Sequence, residues 1–269
     1  MFLPDNIDLR TPEKYVLNIR VKANGFSFSI HEPGVDDGYC YLETSFAKET
    51  SLSNNIQRII FDHNFLTSNF KQTNVIFVSQ RYELIPIPFY EKSKVVDMYN
   101  FTHHKDVMHI LTNEKPVQNN QLVFDIEEPV YLFLYRSLSA PVFYHHSALL
   151  MNYFDGKKAK DAGNMFICFH GDFTDIVCFS KKGGILLGHT YKAETEQDLI
   201  YYILNIWKNC GFDQLRDKLF IYGYTSNNEI RNVLREYVDD VNDVGNFEQI
   251  SEFGQRSIDA PLDIAILSV

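Results

Sequence analysis

The chain has no long hydrophobic run, few cysteines and no surplus of positive charge. No stretch reaches the roughly 18 apolar residues of a membrane-spanning helix. The most apolar windows, near Val130–Leu134 and Leu199–Ile206, are broken by polar groups. The first residues, Met1-Phe2-Leu3-Pro4-Asp5, carry neither a basic leader nor an apolar core, so a signal peptide is not expected. Four scattered cysteines, Cys40, Cys168, Cys178 and Cys210, form no C-x-x-C pair and are too few for a disulfide scaffold. They read as small buried hydrophobes in a reducing cytoplasm. Lys and Arg total 25 against 35 Asp and Glu, a formal charge of -10, which argues against a nucleic-acid binder that works through clustered cations. Neither G-x-S-x-G nor H-E-x-x-H occurs, so hydrolase and zincin readings have no motif.

What is present is a large apolar and aromatic content. Apolar residues make up 45% of 269, with 22 Phe and 16 Tyr, enough for one large domain or two lobes with cores of their own. The segment Tyr15–Val21 alternates apolar with polar and so does Phe26–Ile30, which predicts a hairpin about Asn24-Gly25, residues suited to positive φ. A third strand is expected over Gly38–Phe46, then a helix capped by Ser51 or Ser53 with Ile56, Ile59, Ile60 and His63 on one face, then a buried strand over Asn74–Ser79.

The second half repeats this order. Asn164–His170 and Phe173–Phe179 flank a turn at Gly171-Asp172, and Gly184–His189 supplies a third strand. Thr195 and Asp198 form a capping box for a helix burying Leu199, Ile203, Ile206 and Cys210, with Gly211 at its left-handed end. Leu219–Gly223 is the fourth strand. A last helix, opened by Ser226 and Glu229, places Ile230, Val233, Leu234, Tyr237, Val238 and Val241 on its apolar stripe. From first strand to helix cap the two halves measure 36 and 31 residues, as a tandem duplication would. Between them, Pro129 opens a helix to Leu138, Pro141–Tyr144 is a short strand and Ser147–Phe154 a linking helix. The Gly-, Lys- and Asp-rich stretch 155–163 marks the lobe boundary, giving a first lobe of 1–155 and a second of 156–269.

Three antiparallel strands, a helix and a parallel strand, twice over, resemble the actin-like ATPase superfamily, an α/β architecture of two tandem ribonuclease-H-like lobes. Lys22-Ala23-Asn24-Gly25 stands where that superfamily has its first phosphate loop. His170-Gly171-Asp172-Phe173-Thr174-Asp175-Ile176 resembles its second, and Tyr222-Gly223-Tyr224-Thr225-Ser226 its adenosine-side turn. The whole chain also resembles an uncharacterised bacterial family of unknown function assigned this fold, with actin-like members of pilus-assembly and cell-division machinery as architectural relatives. The resemblance implies a nucleotide site, with ATP as the ligand and Asn24, Gly25, Gly171, Asp172, Thr174, Asp175, Gly223 and Ser226 around it.

The departures from that pattern matter. A magnesium-holding carboxylate normally lies near the first turn, yet no Asp or Glu occurs between Lys14 and His31, and Arg20 and Lys22 take its place. Phe173 and Tyr224 stand where relatives have small residues. The expectation is a cytoplasmic interaction module with degenerate phosphate loops that binds nucleotide weakly or not at all. No cofactor or metal is firmly called for, the partner is an unidentified protein, and a homodimer is left open. The alternative is an active Mg-dependent ATPase or phosphotransferase using Asp172 or Asp175.

Each candidate group has a plainer role beside its sharper one. Asp172, Asp175 and Asp198 are either a metal set or a turn former, a strand residue and a helix cap. Arg20 and Lys22 either bind phosphate or sit on the solvent face of a hairpin. His63, His103-His104, His145-His146 and His170 are expected to be structural. Lys181-Lys182-Gly183-Gly184 reads as a solvated turn. Tyr201, Tyr202 and Trp207 either anchor a partner or pack within their own lobe.

Overall fold

A computed structural model describes residues 7–35, 38–104, 109–170, 173–193, 195–223, 229–245 and 260–268. The chain divides into two units, one of residues 1–148 with 248–269 and one of 149–247.

In the first unit, β1 (Val16–Lys22) and β2 (Gly25–His31) form the expected hairpin, with β3 (Tyr39–Ser45) antiparallel beyond β2. Helix α1 (Leu52–Asp62) follows, and its cap is Ser51, whose hydroxyl accepts from the Asn54 N–H at 3.3 Å. Ile56, Ile59 and Ile60 are buried, while His63 closes the helix. The crossover lets β4 (Gln72–Phe77) lie parallel to β1, as a parallel pair requires. β8 (Val142–His145) then adds to β4, giving the order β3-β2-β1-β4-β8.

Between β4 and β8 lies a small sheet that the sequence reading leaves out. It contains β5 (Tyr82–Pro86), β6 (Ile110–Thr112) and β7 (Asn120–Asp125) in the order β5-β7-β6. α2 (Val95–His103) covers it through Val95 and Tyr99, and α3 (Glu128–Ser137), with Pro129 in its first turn, leads on to β8.

In the second unit, α4 (His146–Asp155) runs into β9 (Asn164–His170), β10 (Phe173–Phe179) and β11 (Ile185–Tyr191), antiparallel to one another in turn. α5 (Glu196–Asn209) is capped by Thr195, which accepts from the Asp198 N–H and bonds its carboxylate, and Gly211 ends it at φ +68°. β12 (Lys218–Tyr222) is parallel to β9. α6 (Glu229–Tyr237) buries Ile230 and Leu234. The sequence reading carries this helix through Val241. It ends at Tyr237 instead, and β13 (Asp240–Gly245) pairs parallel with β12, placing Val241 opposite Leu219. The sheet order is β11-β10-β9-β12-β13, the same as in the first unit.

One face of this second sheet packs Met165, Ile167, Ile176, Cys178, Leu219 and Ile221 against α5 and α6. On the other face Phe154 stacks on Phe166, and Phe166 on Phe220, each pair at 4.7 Å between centroids.

The chain's last described residues return to the first unit. α7 (Leu262–Ala265) packs on β1. Every residue of β2 and all but the last of β1 are buried, so both faces of the hairpin are covered.

Candidate functional site

Three turns carry the residues that the sequence singles out. The first joins β1 to β2. Lys22 pairs with Gly25, so Ala23 and Asn24 form a two-residue connection, and the Asn24 carbonyl accepts from the Phe46 N–H at 2.9 Å. Neither Asn24 nor Gly25 adopts the positive φ expected of it. Space at Gly25 is tight, since a Cβ there would stand 2.8 Å from Lys22 Cε, the movable end of a side chain, and 3.2 Å from the Thr44 carbonyl. Lys22 pairs with Glu43 at 2.8 Å. Burial works to raise the Glu43 carboxyl, and the Lys22 hydrogen bond and charge more than offset it, leaving it below its ordinary value.

Directly along β1 is Arg20, which the structure places neither on a solvent face nor in reach of a free phosphate. It is 2% exposed, and its Nε donates to both carboxylate oxygens of Asp263, at 3.0 and 2.7 Å. Asp263 is itself 1% exposed and also accepts the Ile264 N–H. Burial opposes the guanidinium charge, and Asp263 overrides it, so the Arg20 pKa lies above its usual value. The same face continues with Asn18, whose amide donates to Ser29 and Ser268 and whose carbonyl oxygen accepts from Asn74. An arginine and an asparagine buried in a strand need such partners, since an unpaired charge there is costly. Sequence reasoning misses this network because Asp263 lies 243 residues from Arg20. The one legible signal is an Asp followed by apolar Ile264 and Ala265, a buried-type stretch interrupted by a single acid.

The second turn, between β9 and β10, contains Gly171 and Asp172, which lie outside the described residues. Thr174 and Asp175 follow in β10, both buried. Asp175 sits opposite Cys168 of β9 and Thr190 of β11, and the Thr190 hydroxyl donates to its carboxylate. His189 is the next residue on β11. Burial pulls its pKa down, with the Asp175 charge working the other way.

The third turn leaves β12 at Gly223, with Ser226, Tyr224 and Thr225 outside the described residues. Gly223 has φ +79°, and a Cβ would lie 2.2 Å from the Phe169 carbonyl oxygen, so only glycine fits. Phe169 pairs with Thr174, which brings the Gly223 turn beside the start of β10. Arg231 of α6, 7% exposed and unremarked in the sequence, donates to the Gly223 carbonyl at 2.9 Å and fixes this turn. Thr174, Asp175 and Gly223 therefore share a neighbourhood, while Asn24 and Gly25 belong to the first unit.

The remaining candidates have structural partners. Asp198 is the α5 cap. His145 meets Ser79 at 3.1 Å, His146 meets Ser147 at 3.3 Å, and His63 meets the Ile59 carbonyl at 2.9 Å. His103 faces Glu83 at 3.1 Å. Trp207 is buried against Phe212, whereas Tyr201 is 64% exposed. Among the described residues, no three His, Cys, Asp or Glu side chains are grouped to hold a metal ion, and no helix is long and apolar enough to cross a membrane.

The sequence profile of the family described as "Protein of unknown function (DUF3822)" matches residues 4–241. The chain belongs to this family. A crystal structure from Bacteroides thetaiotaomicron VPI-5482, described as a protein with actin-like ATPase fold and unknown function, is similar at 29% identity and a TM-score of 0.79, over 88% of this chain and 93% of that one. A PilM-PilN type IV pilus biogenesis complex is similar at 11% identity and a TM-score of 0.57, over 96% and 99% of the two chains. No curated protein matches the chain. This DUF3822 member thus has the actin-like ATPase fold, α/β throughout, as its strand order leads one to expect.

Proposed function

We propose that this DUF3822 protein is a cytoplasmic, non-catalytic interaction module on an actin-like ATPase frame, with weak nucleotide binding at most. The observation that carries the reading is the buried Arg20–Asp263 pair. Where relatives place an acid for magnesium, this chain holds a cation already neutralised from within. A guanidinium tied to a carboxylate at 2.7 Å is not available to a phosphate, and its partner carboxylate is not available to a metal. Of the two acids on which an active Mg-dependent ATPase or phosphotransferase would depend, Asp172 lies outside the described residues, and Asp175 is bonded by Thr190 and stands in the strand rather than at the turn. The fold also occurs in a PilM-PilN complex, which supports a role in protein assembly for an actin-like frame.

Thermal-shift titration with Mg-ATP, ATP alone and ADP tests the proposal. A ligand at 100 times its Kd stabilises a fold by about 2.7 kcal/mol. The expected result at millimolar nucleotide is no magnesium-dependent shift. A magnesium-dependent shift that Asp175→Asn abolishes would overturn this reading in favour of the enzyme.

A further inference from the structure

The glycine- and lysine-rich stretch after α4 and the turn between β10 and β11, both plain connectors in the sequence, come together in the second unit. They border an open cavity of about 300 Å3 lined by Asp155, Lys158, Lys160, Asp161, Lys181, Lys182 and Gly183, with Ala159. Four lysines face two aspartates in a chain whose overall charge is -10. Against that acidic background a concave cationic patch is a local reversal of field, strongest where low-dielectric walls focus it.

The cavity is built around Lys158. Its ammonium donates to Asp155 at 2.6 Å and to the Gly183 carbonyl at 2.7 Å, and it lies 4.8 Å from the Phe179 ring centroid. These contacts bolt the two connectors together and cancel the charge of Asp155. Gly183 permits the arrangement twice over. Its φ of +82° turns the chain, and a Cβ there would stand 3.2 Å from Lys158 Nζ. Lys181 has only a longer approach of 3.6 Å to Asp217, a carboxylate already accepting the Gly163 and Asp213 N–H groups. Lys160 and Lys182 are exposed and enter no ion pair among the described residues. Three further lysines thus line one hollow, with Asp161 the remaining acid of its lining.

We propose that this pocket binds a compact multivalent oxyanion, a di- or triphosphate chain, free or carried by a small molecule. Each lysine offers three rotatable N–H donors and a point charge, which suits a phosphate chain whose oxygens face several directions. Convergence on a single cavity favours a compact anion over an extended acidic segment or a nucleic acid, either of which needs cations spread along a track. The inference is independent of the nucleotide reading, since it uses neither Asp175 nor any of the three turns.

Isothermal titration of the full chain with sodium tripolyphosphate, in 50 and 150 mM salt, tests it. The comparison set is the double variant Lys160→Gln/Lys182→Gln and a charge-matched control, Lys192→Gln/Lys208→Gln, both confined to exposed residues. One saturable site is expected without magnesium, weaker at the higher salt, at least tenfold weaker in the pocket variant and unchanged in the control. ATP titrated in parallel separates a free phosphate chain from one carried by a nucleoside. The proposal is overturned by absence of saturable binding at millimolar tripolyphosphate, by equal weakening in both double variants, or by tighter binding of a poly-glutamate peptide than of tripolyphosphate.

Discussion

The two five-stranded sheets share one strand order, yet they satisfy their buried polar groups in opposite ways. In the first, β1 carries Asn18 and Arg20 into the interior; Asn18 bonds Ser29 and Asn74 on neighbouring strands, but Ser268 and the counter-charge Asp263 come from the far end of the sequence. In the second, Asp175 of β10 is met by Thr190 on the neighbouring strand, fifteen residues away. The neighbouring strand supplies a hydroxyl to that carboxylate. A buried guanidinium needs a full counter-charge, and here the sheet's own strands do not provide it. The same frame is thus closed by a remote segment in one unit and by local pairing in the other.

Removing the remote partner should have the largest effect. Asp263→Ala leaves Arg20 charged and buried, and urea unfolding should report a loss of about 3–5 kcal/mol. The double variant Arg20→Met/Asp263→Leu should recover most of it, because an apolar pair of similar volume avoids both desolvation costs. In the second sheet Thr190→Val should cost less, about 1–3 kcal/mol for a carboxylate left without one donor. Equal losses at the two sites would end the contrast.

A pH experiment sharpens the same comparison. His31 of β2 is 4% exposed, and burial, helped by the charge of Lys71, holds its pKa down at about 4. The unfolded chain takes up this proton near pH 6.5, while the folded imidazole resists until about 4. Stability from this group is therefore complete above 6.5 and drains away as the pH falls toward 4, by about 3 kcal/mol in total. His31→Gln should flatten the profile of unfolding free energy across that window. An unchanged slope would mean that the folded imidazole titrates normally.

The two glycine turns offer the smallest test. Gly223→Ala forces a positive φ and a backbone clash with Phe169, for a loss of at least about 1–2 kcal/mol. Gly25→Ala meets chiefly the movable end of Lys22 and should cost less, about 0.5–1 kcal/mol. Chemical denaturation of the two variants side by side checks the ranking.

The sequence shows this architecture wherever local chemistry decides the structure. Ser51 and Thr195 cap the helices assigned to them, Gly211 takes the left-handed end, Pro129 opens α3, and both hairpins fall where alternation places them. It fails where spacing is ambiguous or contacts are remote. Leu234, Val238 and Val241 keep helical spacing across the end of α6, so β13 reads as more helix. In the small inserted sheet, β5 ends in Pro86 and β6 spans three residues, too short to show a period. Site residues were legible as motif positions only. Nothing in the spacing of Val16–Lys22 distinguishes a solvated arginine from one sealed beneath α7, nor does the run Lys157–Lys160 reveal that Lys181 and Lys182 lie across a cavity from it.

The reach of the Arg20–Asp263 contact has a consequence for how the chain is made. Translation proceeds from the N-terminus at about 5–20 residues per second, so Arg20 waits about 10–50 s for its counter-ion to be synthesised. During that interval the first hairpin exists without its lock. The first unit is completed only after the second has been synthesised, and a nascent chain that stalls before residue 263 lacks the carboxylate that neutralises Arg20.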